Sequence, residues 1–200
     1  SRFKRFTHSL LSGYVVLGAN VLYTLASVPL ALSYLSKAEF GLWAVATTIG
    51  GYIALIDFGM SGSISRILID YKDQRADGRY GGIIKTAALV GTAQGCIIFV
   101  VGAALAFVIG PLLDVPKDLE RDFAWLMVGQ SALMCITFGA RVFSHVLAAH
   151  QRLDITNYAQ TLLFSANYGV MWFCFGRGIG VFSFLIAQAV GTTLLVLVGF

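Results

Sequence analysis

The chain has 200 residues, of which 58% are Ala, Val, Ile, Leu, Met, Phe, Trp, Tyr or Cys and 12% are charged, with a net charge of +4. A soluble domain is about 25% charged, and the mean hydropathy here is +0.80. Those values exclude a water-soluble globule, a disordered tail, a collagenous chain and a disulfide-built scaffold.

Asp, Glu, Lys and Arg are missing from 6–36, 40–56, 86–113, 123–140, 155–176 and 178–200. A hydrocarbon core about 30 Å thick takes ~20 helical residues to cross. The pattern predicts an all-α integral membrane protein with six transmembrane helices, at about 8–35, 41–68, 83–112, 123–149, 156–176 and 181–200. One intramembrane charge extends each of two spans, Asp57 in the second and Arg141 in the fourth. The connections are short (Ser36–Phe40, Asp70–Gly82, Asp114–Asp122, His150–Ile155 and Arg177–Gly180), so residues 1–200 form one membrane bundle with no extramembrane domain.

In the first helix, Arg2, Lys4 and Arg5 precede an apolar run that reaches about residue 35, too long for a cleaved signal. Ser9, Gly13, Asn20, Thr24 and Ser27 share a narrow arc of it, and Pro29 is placed to kink it. The second helix carries Asp57 and, nine residues on, Arg66. Burying a carboxylate at such a depth costs at least ~2.5–3.5 kcal/mol. Two readings stand for Asp57: a fixed ion pair with an Arg on another helix, Arg141 being the candidate, or ion coupling and gating. Arg66 is half a turn out of phase with Asp57 and either snorkels to the surface or meets a ligand. Between them, Gly59-Met60-Ser61-Gly62-Ser63 is small enough to bend the helix or admit a neighbour.

The third helix holds Gln94 and Gly91-x-x-x-Gly95, a pattern for close helix approach. On the fourth, Arg141, His145 and Arg152 fall on one line at the 3.6-residue period. Guanidinium matches phosphate oxygens bidentately, so that stripe suits a phosphate or pyrophosphate; Arg152 also reads as an ordinary surface anchor. His150 faces away from His145, so the two do not make a metal pair. The fifth helix presents Asn157, Gln160, Thr161 and Asn167 on one face, and the sixth carries Gln188. The polar stripes of the first and fifth helices either line a wet cavity or hydrogen-bond between helices in a dry bundle. Gly176-x-x-x-Gly180 spans a connection and reads as turn chemistry.

Leaving out Arg66 and Arg141, the basic residues divide eight against four between the alternate sides. The excess lies with the N-terminus and the second and fourth connections, which predicts a cytoplasmic N-terminus. Each basic cluster abuts a helix end, so no nucleic-acid partner is expected. Cys96, Cys135 and Cys174 lie in apolar runs without C-x-x-C spacing and imply neither metal nor disulfide. Asp57-Phe58-Gly59 spells a kinase triplet but lacks every accompanying kinase motif. No catalytic constellation and no cofactor fingerprint is present, so the chain is not expected to be an enzyme.

Three stretches carry a family likeness. Leu35-Ser36-Lys37-Ala38-Glu39-Phe40-Gly41-Leu42-Trp43, then Tyr52-Ile53-Ala54-Leu55-Ile56-Asp57-Phe58-Gly59 with Ser63-Ile64-Ser65-Arg66, and later Val146 to Asn157, resemble the polysaccharide biosynthesis (O-antigen flippase) proteins. These belong to the multidrug/oligosaccharidyl-lipid/polysaccharide exporter superfamily. The resemblance implies the N-terminal lobe of a MATE-like two-lobe transporter, the C-terminal lobe lying beyond these residues. It implies transfer of undecaprenyl-pyrophosphate-linked oligosaccharide across a bacterial inner membrane for lipopolysaccharide and other surface polysaccharides. On it, Arg141, His145, Arg66 and Arg152 meet pyrophosphate or acidic sugar, and Asp57 couples to H+ or Na+ or latches the lobe. Asn20, Thr24, Gln94, Asn157, Gln160 and Asn167 would line the cavity. Membrane lipid, a polysaccharide polymerase and glycosyltransferases are the further partners. The alternatives are a cation-coupled drug or metabolite antiporter of the same superfamily and a membrane-embedded lipid or sugar transferase.

Overall fold

A computed structural model describes residues 2–57, 59–71, 78–113, 115–149 and 153–199. The described elements are all helical: α1 (Arg2–Tyr34), α2 (Lys37–Ile53), a 3₁₀ turn (Ala54–Asp57), α3 (Met60–Tyr71), α4 (Arg79–Leu112), α5 (Lys117–Ala149), α6 (Leu153–Gly176) and α7 (Phe182–Gly199). Among the described residues, four segments are long and apolar enough to cross a membrane: Leu11–Tyr34, Lys37–Asp57, Arg79–Leu112 and Lys117–Leu147. The apolar run Phe182–Leu194 of α7 is shorter. In α6 the amides of Asn157, Gln160 and Asn167 dilute an otherwise apolar helix.

The predicted second helix, 41–68, is corrected in two ways. It starts earlier, because Ser36 and Glu39 form a capping box: the Glu39 amide donates to Ser36 Oγ at 3.2 Å and the Ser36 amide to Glu39 Oε2 at 2.8 Å. It is also broken. After Ile53 the chain tightens into the 3₁₀ turn, and Gly59 takes φ +75° before α3 begins. Only glycine enters that region without a Cβ clash. The predicted fourth helix starts at Lys117 rather than 123, following Pro116 and with Asp118 and Glu120 in its first turn, where acids suit the helix dipole. The charges there mark the edge of the apolar run, not the end of the helix.

The helices are held together differently along their length. Where the first, third and fifth connections gather, Ala31 of α1, Leu35 just after it, Leu126 of α5, Met171 and Phe175 of α6 and Phe184 of α7 form one buried cluster. Trp43 of α2 stacks on Phe184 with centroids 4.0 Å apart, and Phe175 meets the same ring edge-on at 5.5 Å. At the opposite end, Leu68, Tyr80 and Ala149 join α3, α4 and α5 alone, and α1 packs chiefly on α6. The α4–α5 seam uses the predicted glycines. A Cβ on Gly91 would stand 2.7 Å from the Phe138 carbonyl oxygen, and one on Gly95 2.6 Å from that of Cys135. Gly178 (φ +73°) and Gly180 (φ +71°) make the turn into α7, the role expected of that Gly-x-x-x-Gly.

Candidate functional site

The break between α2 and α3 places Asp57 at the mouth of α3 instead of on the flank of a continuous helix. Its Oδ1 accepts a hydrogen bond from Ser61 Oγ at 2.8 Å. The same oxygen faces Arg141 Nη1 of α5 at 3.8 Å. A charge-assisted hydrogen bond is about 2.7–2.9 Å long, so this is a single loose electrostatic contact and not a bidentate fork. The Arg141 guanidinium also lies over the Phe138 ring, 3.8 Å from its centroid, which supports the cation without neutralising it. Both side chains are partly exposed, Arg141 at 37% and Asp57 at 22%.

One turn further along, His145 Nδ1 and Ser65 Oγ share a hydrogen bond of 2.8 Å. Ser61 and Ser65 are four apart on α3, and Arg141 and His145 four apart on α5, so each helix presents one stripe. The two contacts form successive rungs between the helices. Gln94 of α4 is buried beside the break, its Nε2 donating to Met60 Sδ at 3.4 Å.

The sequence matches no family model and no curated protein, and the fold matches no solved structure. The likeness to the polysaccharide flippases therefore rests on the residues quoted for it.

Of the residues singled out from the sequence, Asp57, Arg141 and His145 come together. Arg141, the partner named in one of the two readings of Asp57, does face it, but at 3.8 Å the contact is loose and not the fixed pair of that reading. Arg66 is exposed on α3, and among the described residues it has no carboxylate within 4.0 Å. Arg152 lies outside the described residues. The polar stripes divide between their two readings. Asn157 Nδ2 donates to Ser12 Oγ at 2.9 Å across α1 and α6, an interhelical hydrogen bond, whereas Asn167 packs over Gly191 of α7 with its buried Oδ1 lacking a hydrogen-bond partner among the described residues. Asn20, Thr24 and Gln160 are exposed, with Thr24 Oγ1 donating to the Asn20 carbonyl at 2.9 Å. Cys96, Cys135 and Cys174 are free thiols.

Ser61, Ser65 and Phe138 were missed in the sequence. Each had a signal: the serines stand four and eight residues after Asp57, and Phe138 one turn before Arg141, the spacings at which helical neighbours meet.

Proposed function

We propose that the chain is a membrane lobe of an alternating-access transporter that carries undecaprenyl-pyrophosphate-linked oligosaccharide across a bacterial inner membrane, its N-terminus in the cytoplasm. The observation that supports this reading best is the loose, partly exposed Asp57–Arg141 contact at a helix break inside a largely apolar bundle. A guanidinium held by one carboxylate oxygen at 3.8 Å is kept from standing alone in the membrane, yet is readily given up. An arriving pyrophosphate offers several oxygens in the geometry that guanidinium prefers, and so displaces the carboxylate. Asp57, left without its cation, then takes up H+ or Na+, which links substrate entry to an ion. Asn20, Thr24 and Gln160 give the sugar hydroxyls a polar face, and the aromatic cluster at the opposite end closes the path while the site is loaded.

The test is transfer of labelled lipid-linked oligosaccharide across proteoliposomes containing the full chain. Arg141→Ala is expected to abolish transfer while leaving membrane insertion intact, and Asp57→Asn to slow it. Wild-type transfer by Arg141→Ala would overturn the role given to that residue. Cation-driven dye efflux by the wild type, without oligosaccharide transfer, would support the antiporter instead.

A further inference from the structure

A groove of about 400 Å³ runs between α4 and α5 at the end where α5 begins. Lys117, Arg121 and Trp125 lie along it four residues apart, one per turn on a single face of α5, with Val128 continuing the line. The charge-free run of α5 starts at residue 123. The two cations therefore stand at the edge of the apolar span, and the indole lies one turn beyond Arg121, just inside it, the depth at which Trp collects in membrane proteins. Phe107 of α4 forms the facing wall and is 72% exposed.

Two features point to a ligand. Among the described residues neither Lys117 nor Arg121 has a carboxylate within 4.0 Å. The one acid at the groove, Glu120, leans across to α4 instead: its Cγ and Oε1 lie 3.5 Å and 3.9 Å from where a Cβ on Gly110 would stand. The groove thus runs from two neighbouring cations, past an amphipathic ring, to bare apolar surface. An anionic phospholipid has the same order of groups: phosphate, glycerol ester, acyl chain.

We propose that this groove holds one anionic phospholipid, its phosphate between Lys117 and Arg121 and one acyl chain along Trp125, Phe107 and Val128. A second copy of the chain seated on this groove about a two-fold axis would bring the same unpaired cations together, which disfavours that occupant. The site is independent of what the lobe transports.

Native mass spectrometry of the full chain, released from nanodiscs of equimolar dioleoylphosphatidylglycerol and dioleoylphosphatidylcholine, tests the assignment. The wild type is expected to retain phosphatidylglycerol in preference to phosphatidylcholine. Lys117→Gln and Arg121→Gln should each lower that preference by about fivefold, the worth of one cation at a lipid surface. Ala124→Phe, which fills the groove wall, should remove the retained lipid. Equal retention of the two lipids by the wild type, an unchanged preference in both glutamine variants, or undiminished lipid on Ala124→Phe would overturn it. Loss of a dimer rather than of a lipid in Ala124→Phe would overturn it as well.

Discussion

α5 packs against α4 along one seam and against α3 along another, and the two contacts work by opposite means. Toward α4 the backbones themselves touch: Gly91 and Gly95 leave no room for even a methyl group beside the carbonyls of Phe138 and Cys135. Toward α3, polar side chains reach across, Arg141 to Asp57 at 3.8 Å and His145 to Ser65 at 2.8 Å. A seam made of backbone has one geometry, because any sliding creates a clash. A seam made of polar side chains has several, because a rotamer change or a competing ligand replaces a contact without rebuilding the core. The exchangeable part of this molecule therefore sits one turn beyond its most rigid part, on the same helix.

The largest expected effect comes from forcing the rigid seam. Gly95→Leu places a side chain against α5 backbone and should cost about 3 kcal/mol, the upper end for overpacking, in unfolding titrations in mixed micelles. A change under about 1 kcal/mol would mean that the seam yields, and the contrast would collapse. Next is the entry to the polar seam. Gly59→Ala must hold a left-handed backbone and should lose roughly 1–2 kcal/mol. Gly62→Ala, with helical backbone and no atom within 4 Å of its new Cβ, should be neutral or stabilising. Equal losses at the two positions would remove the case for a conformational break at Gly59. The smallest effect belongs to the ion pair. A double-mutant cycle of Asp57→Asn with Arg141→Gln should give a coupling below about 1 kcal/mol, as for loose, partly exposed pairs. A coupling of about 3 kcal/mol or more would describe a locked, desolvated pair and sink the exchange on which the transport reading depends.

The rigid seam was legible because glycines four apart in an apolar run have few uses besides close packing. The Asp57–Arg141 contact was legible for a related reason: a charge within an apolar run needs an answer, and few other charges lie at that depth. The place of the bend was legible in Gly59-Met60-Ser61-Gly62-Ser63, but its depth was not. The 3₁₀ turn and Gly59 divide a run whose hydropathy is continuous, so span counting joined α2 to α3. The true start of α2 was written in Ser36-x-x-Glu39, but charges were used to bound the spans, and Lys37 and Glu39 fell outside. The same rule cut the first turns from α5. The polar stripes were seen, but hydropathy carries no information on which amide finds a neighbour, so Asn157 and Gln160 looked alike although only the former reaches another helix.

The break at Gly59 also has an electrical consequence. An unbroken helix would carry its partial charges only at its two ends, near water. Dividing it creates a second pair of ends within the bundle, the carbonyl-rich finish of the first piece and the amide-rich start of the next. Asp57 closes the first piece three residues before α3 begins, and Arg141 lies beside its carboxylate. The break thus brings two interrupted backbone ends and the Asp57–Arg141 contact into one neighbourhood inside the bundle.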